Sequence, residues 1–318
     1  MSHPPAETES DHLTPSLRQL NGMSFMKGHG TGNDFVLLRD SDGDLELTPA
    51  HVSALCDRHL GIGADGLIRA VPSSELPEGR ELLGAAPEAV WFMDYRNGDG
   101  SIAEMCGNGV RVFVHFLAET GTIDLPVGGH VVIGTRAGVR TVHRTETGYS
   151  ISMGPWSFID PEMALESASD SLVRASGLPE PRPALSISMG NPHTVVALSP
   201  QEDLDQVNLH EKPQVEPVPP NGTNVEFVVP QEPLVSDGIG HVRMRVHERG
   251  VGETMSCGTG ACAAAAAVRV WAGAEGADSW RVDVPGGTVQ VDFVRNEDGA
   301  EDVILSGPAE LVYSGTVN

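Results

Sequence analysis

Met105-Cys106-Gly107-Asn108-Gly109-Val110 and Ser256-Cys257-Gly258-Thr259-Gly260-Ala261 are two versions of one phrase, a cysteine followed by Gly-x-Gly and an apolar run of helical character. A cysteine ahead of a glycine-rich helix start faces backbone N–H groups that have no intrahelical partner, and the positive end of the helix dipole. That setting favours a thiolate and also binds a carboxylate. Two such sites turned toward each other make a two-thiol active site.

The repetition reaches beyond the cysteines. Laying Cys106 on Cys257 puts Asn97 on Glu248; upstream, Gly32-Asn33-Asp34-Phe35 falls on Gly190-Asn191-Pro192-His193, and that offset puts Gly66 on Asn224. Downstream, Met153-Gly154-Pro155 matches Ser306-Gly307-Pro308. The repeat predicts an α+β fold of two pseudo-symmetric domains, each a mainly antiparallel, barrel-like sheet wrapped around a buried central helix, with the ligand in the cleft between them. The expected boundaries are a disordered, acidic and Pro-rich extension over 1–22, a first domain over 23–153 that receives the tail 309–318, and a second domain over 154–308.

At 318 residues the chain is long enough for two ordinary cores. Its formal net charge of -24 repels phosphate backbones and anionic lipids, and no basic cluster interrupts it, so nucleic acid is not an expected partner. A membrane is not expected either, because no apolar run approaches a span. The 4 cysteines are too few and too scattered for a disulfide-stapled secreted fold, and the start of the chain lacks a signal-type hydrophobic stretch; the cytoplasm is the expected compartment. Without Cys-x-x-Cys or His-x-x-x-His spacing no metal is expected. Gly28-His29-Gly30-Thr31-Gly32 departs from nucleotide-loop spacing, and Asp42-Gly43-Asp44 and Asp99-Gly100 are fragments of a calcium loop. Cys56 and Cys262 read as small buried hydrophobes.

Alternation predicts antiparallel strands in both halves, among them 35–39, 90–95, 194–198, 224–229 and 241–246. Helices are expected over 49–60, 108–119, 163–176 and 259–272, the second and last with so little polar face that both are buried. Gly107 and Gly258 clear side chains from where backbone amides must approach a ligand, while Asn108 and Thr259 add donors there. Glu248 and Arg249 stand in the loop ahead of Cys257, at the place Asn97 holds in the first half.

His29-Gly30-Thr31-Gly32-Asn33-Asp34-Phe35, the Cys106 motif, Gly190-Asn191-Pro192-His193 and Glu248-Arg249-Gly250 together resemble the diaminopimelate epimerase family, from residue 23 to about 313. Proline and hydroxyproline racemases share that fold but usually carry His where Asn108 stands, and phenazine-pathway isomerases of the fold lack the cysteine pair. The resemblance implies a cofactor-independent isomerase that interconverts LL- and meso-2,6-diaminopimelate in lysine and cell-wall biosynthesis, with a homodimer as the expected assembly. It implies Cys106 and Cys257 as base and acid, and Asn33, Asn97, Asn191, Asn224 and Arg249 as contacts to the substrate. Glu248 holds the reacting ammonium group, the amides of Gly107-Asn108 and Gly258-Thr259 hold the reacting carboxylate, and His193 with Glu248 tunes the thiols. Many members have Gln where this chain has Gly66, and the N-terminal extension and an insertion around 72–87 lie outside the family pattern. Two other readings stand beside this one: an amino-acid racemase of the proline racemase type, and a non-enzymatic redox switch built on a Cys106/Cys257 disulfide.

Overall fold

A computed structural model of the chain describes residues 20–199, 201–295 and 299–318. The first half begins with a hairpin of Ser24–Gly30 and Asn33–Arg39. Its turn places Thr31 at φ 51° and Gly32 at φ 82°, the left-handed pair that matches strand twist. Asn33–Arg39 then runs parallel to Gly66–Pro72, with Phe35 opposite Gly66, and Gly66–Pro72 pairs antiparallel with Trp91–Asn97. From there the helix Gly107–Glu119 crosses to His130–Thr135, parallel to Trp91–Asn97. Gly138–Thr145 and Gly148–Pro155 complete a meander.

The second half repeats the scheme. Arg182–Ser188 and Pro192–Ala197 form its hairpin, and Pro192–Ala197 runs parallel to Asn224–Ser236, with His193 opposite Asn224. That pair is displaced from Phe35 and Gly66 by the offset read in the sequence. Ile239–Glu248 follows antiparallel, the helix Gly258–Ala272 crosses to the parallel strand Ser279–Val284, and Gly287–Arg295 and Glu301–Gly307 close the meander.

Two features join the halves. Gly148–Pro155 pairs antiparallel with Glu301–Gly307. In addition, Ser157–Phe158 continues from the first half onto Arg182–Ser188, while Glu310–Thr316 returns from the second half onto Ser24–Gly30. Each half thus supplies a strand to the other.

Several expectations need correction. Neither sheet closes into a barrel, because the last strand of each meander spends its free edge on the other half instead of on its own first strand. The sheet is mainly antiparallel as expected, with parallel pairs added where long crossovers permit what a two-residue turn forbids. The helix expected over 163–176 is Pro161–Ser167, ended by Ala168 at φ 52°, and Ser171–Arg174 is a strand. The first helix stops at Cys56, where Asp57 Oδ1 accepts the N–H groups of His59 and Leu60, both at 2.7 Å. Strand Gly66–Pro72 was not expected: it is buried on both faces, and Leu67, Ile68 and Ala70 show no alternation. Of the expected extension 1–22, residues 1–19 lie outside the described residues, and Leu20 is packed in a small cluster with Val317.

Both cysteine helices are sheathed. Val110, Val112, Phe113, Val114 and Leu117 on the first, and Ala261 to Ala267 on the second, are fully buried in one continuous apolar core. Ala-rich surface on the second helix lets large strand residues close in; Trp280 is fully buried, and Gly240 leaves room for its ring. The turn Pro285-Gly286 of the second half rests on the Thr31-Gly32 turn of the first, and Gly286 N–H donates to Met255 O at 2.9 Å. A Cβ on Gly286 would lie 1.7 Å from Thr31 O. Gly286→Ala is therefore expected to destabilise the protein by about 1–3 kcal/mol, measured by denaturant unfolding; an unchanged midpoint would show that the two turns do not meet.

Candidate active site

Cys106 and Cys257 are the N-caps of the two buried helices, both in extended backbone conformation. The helix starts abut. A Cβ on Gly258 would come within 3.8 Å of the Gly107 Cα and 3.6 Å of Asn108 Oδ1, and a Cβ on either glycine would lie 3.0 Å from the same Leu305 methyl. A side chain at either position would press on the Leu305 methyl, while the two helix starts themselves lie within ordinary van der Waals reach of each other.

The polar groups around them divide into two matched sets. Cys106 Sγ donates to Asn33 Oδ1 at 3.5 Å, and the Asn108 amide donates to Asn33 Oδ1 at 3.4 Å and to Ser256 O at 3.2 Å. Asn108, 1% exposed, thus ties the two halves together, and its side chain is not free for a ligand. On the other side Gly260 N–H donates to Cys257 Sγ at 3.4 Å, the Thr259 hydroxyl lies 3.6 Å from that sulfur, and Asn191 Nδ2 donates to Thr259 at 3.4 Å. His193 Nε2 lies 3.1 Å from Asn191 Oδ1. Asn33 therefore touches its cysteine directly and Asn191 does so through Thr259.

Glu248 ends its strand between the sites, with Thr254 Oγ1 donating to its carboxyl at 2.5 Å. Burial raises that carboxyl above the usual carboxylate range. Burial also raises both thiols, and Glu248 adds to the rise in each. The N–H groups of Gly109 and Asn108 and the Arg111 guanidinium pull Cys106 back down, whereas Cys257 faces a second carboxyl, Glu226, and stays well above the ordinary thiol value. Burial thus opposes the thiolate that a helix start favours, and it does so more strongly at Cys257 than at Cys106.

Three predicted residues stand apart from the thiols. Asn97 donates to Ser101 Oγ at 3.0 Å within its own loop. Asn224 accepts the Arg249 N–H at 2.9 Å and donates to Pro192 O at 3.1 Å, fixing the loop, while the Arg249 guanidinium turns outward to Asn221 O at 2.7 Å. That side chain lines a cavity of about 820 Å³ with Arg174, Lys212 and Val218, away from the paired thiols.

Sequence reasoning missed Glu226, Arg111 and Tyr95. Arg111 and Glu226 are fully buried charges, and their signal was a lone charge inside an apolar run. Arg111 donates to Asn108 Oδ1 at 2.9 Å; burial lowers its pKa to about 10, leaving it cationic at neutral pH. Tyr95 accounts for Gly66: a Cβ there would lie 2.8 Å from the tyrosine ring, so the phenol fills the space a Gln would take.

Comparison with known proteins follows this geometry. By fold the chain stands with two-domain epimerases and isomerases: a phenazine biosynthesis protein of the PhzF family from Bacillus anthracis superposes with a TM-score of 0.62 at 16% identity, covering 92% of this chain and 98% of that one. A hydroxyproline epimerase from Agrobacterium vitis does so at 0.60 and 13%, covering 93% and 92%. The sequence is 45% identical to the diaminopimelate epimerase of Streptomyces coelicolor over 92% of this chain and 94% of that protein, and 44% identical to that of Thermobifida fusca over 93% and 98%. The diaminopimelate epimerase profile matches residues 25–159 and 185–312. The chain belongs to the diaminopimelate epimerase family, which makes it an isomerase.

Cys56 and Cys262 are both pushed up to about 12 by burial. Iodoacetamide at about pH 8 is expected to leave both unlabelled while half-buried Cys106 reacts, since only thiolate attacks. Peptide mapping that finds Cys56 or Cys262 labelled first would contradict their burial.

Proposed function

We propose that the protein is a cofactor-independent epimerase that interconverts LL- and meso-2,6-diaminopimelate by a two-thiol acid/base mechanism, in the supply of lysine and peptidoglycan precursors. The observation that carries this reading is the pair of abutting helix starts, each capped by a cysteine. Inverting an α-carbon means removing a proton from one face and delivering one to the other, so two acid/base groups must flank the carbon. One thiolate takes the Cα proton, the electron pair moves into the carboxylate as an enediolate, and the opposite thiol protonates the far face. The thiols have then exchanged protonation states.

The helix-start amides of Gly107-Asn108 and Gly258-Thr259 hold the reacting carboxylate and stabilise the charge that develops on it. Glu248 receives the reacting ammonium group. Asn33, Asn97, Asn191, Asn224 and Arg249 bind the substrate, the distal amino-acid end supplying binding energy and stereochemical choice. Residues 23–153 and 154–308 act as two bodies that close on it, bringing in Asn97 and Arg249 and excluding water.

A proline-type racemase fits the same fold, but the family match favours diaminopimelate. The redox-switch reading leaves unexplained the pair of glycine-rich helix starts, which a disulfide does not need. Among the described residues no helix is long and apolar enough to cross a membrane. The reading includes the cytoplasm, where free thiols persist. It also includes a homodimer, supported by the edge strand Glu310–Thr316, whose Val312 and Tyr313 are exposed.

Incubated with LL-diaminopimelate in deuterium oxide, the protein is expected to produce the meso isomer and place deuterium at one α-carbon without pyridoxal phosphate or metal, followed by NMR. Cys106→Ala and Cys257→Ala are each expected to lower epimerisation by at least about 10³-fold while melting normally. Full activity in either variant would remove that thiol from the mechanism.

A further inference from the structure

We propose that Glu226 is a positioning residue of the second thiol site, its buried carboxylate holding the proton on Cys257 and so making the two pseudo-equivalent thiols chemically unequal. The proposal rests on the two-thiol reading above and adds a residue to it. Glu226 lies on Asn224–Ser236, opposite Val195 on one side and Val246 on the other, and is fully buried. One carboxyl oxygen lies 2.7 Å from His193 Nδ1. That oxygen is Oε1; Oε2 has no hydrogen-bond partner among the described residues, so His193 satisfies only half of the buried carboxyl.

Its position relative to the sulfur follows from Gly260. A Cβ there would be 2.8 Å from Glu226 Oε1 and 3.2 Å from Cys257 Sγ, so the carboxyl and the thiol flank the same small space beneath the helix start. A second route joins them around the outside: His193 to Asn191 at 3.1 Å, Asn191 to Thr259 at 3.4 Å, Thr259 to Cys257 at 3.6 Å. Glu226 thus sets the charge beside the sulfur and also anchors the chain that orients Thr259.

The first half lacks the device. By the offset that pairs Phe35 with His193 and Gly66 with Asn224, the twin of Glu226 is Ile68 and the twin of His193 is Phe35, both fully buried apolar residues in the first case and its neighbour. Conversely the buried cation Arg111 has Cys262 as its twin in the second helix. Cys106 therefore has Arg111, Glu248 and Tyr95 near it, and Cys257 has Glu226 and Glu248, with His193 against Glu226. A thiolate beside Glu226 meets a carboxyl that disfavours it; beside Arg111 it meets a cation. When the ligand-free site ionises, Cys106 ionises first.

The test is alkylation of each cysteine by iodoacetamide across a pH series on the full-length, substrate-free protein, resolved by peptide mass spectrometry. In the unaltered protein the reactivity of Cys257 is expected to rise at higher pH than that of Cys106. Glu226→Gln keeps the shape and removes the charge: Cys257 should label about tenfold faster at about pH 8, the effect of a one-unit drop in its midpoint, with Cys106 unmoved. Glu226→Ile, which installs the twin residue, should act in the same direction, and melting curves verify that each variant is folded. Cys257 midpoints unchanged in the folded variants, or both thiols shifting together, would overturn the assignment. So would Cys257 ionising before Cys106 in the unaltered protein, a result that needs no variant. Because the titration uses no substrate, it stands or falls separately from the epimerase assay.

Discussion

Two helices aimed N-terminus to N-terminus are the constraint on which the rest of the structure depends. Each end carries roughly half a positive charge and several N–H groups with no intrahelical partner, so bringing both into one buried space is unfavourable by itself. The sheets enforce it by enclosing the helices in a shared core that spans both halves. The glycines at 107 and 258 remove the steric barrier, and the Asn108 amide bridges from one helix start to the loop before the other. Paired helix starts of this kind favour an anion between them, which is the physical basis of the proposed carboxylate site.

Pseudo-symmetry supplies the geometry, and departures from it supply the chemistry. The ladders repeat so closely that Phe35 opposite Gly66 and His193 opposite Asn224 occupy one register. Yet the occupants differ in polarity: the apolar Phe35 and Ile68 in one half stand where the hydrogen-bonded His193 and Glu226 stand in the other. Strand exchange keeps this asymmetry in place. The first strand of each half is covered by a segment that follows the other half's meander, so neither sheet is complete alone.

The repeat was legible because its marks are local: Cys-Gly-x-Gly, Gly-Asn turns and Gly-Pro exits survive in the sequence at fixed offsets. Strand Gly66–Pro72 was not, since a strand buried on both faces has no alternation to read. The open edges of the two sheets were not legible either, because the pairing of Gly148–Pro155 with Glu301–Gly307 is decided by which edges remain free after folding. At the site, Thr259 and Glu248 stood out by position in the repeat, whereas the roles of Asn33, Asn191 and His193 came with the family resemblance. Glu226 was hidden in Asn224-Val225-Glu226-Phe227-Val228-Val229, which reads as an ordinary strand. The balance of effects on the thiols was only half legible for a general reason: the helix dipole can be read from a motif, whereas desolvation depends on residues that come from everywhere else in the chain.

That last point bears on how the site would start to work. Both thiols are raised by burial and by the same carboxyl, Glu248, so the ligand-free site resists forming the thiolate that proton abstraction needs. In the proposed reaction the substrate brings an ammonium group to Glu248 and a carboxylate to the helix starts. The ammonium cancels the charge that had raised both sulfurs. The carboxylate, held by the amides, becomes the place where negative charge is stabilised as the α-proton leaves. The two effects act in opposite directions on the thiols, and the one nearer each sulfur decides. Beside Cys106 the buried Arg111 adds to the ammonium's effect; beside Cys257 the buried Glu226 works against it. On the proposed reading, a bound zwitterion would therefore favour the thiolate at Cys106 over that at Cys257, and turnover in the reverse direction would have to work against that bias.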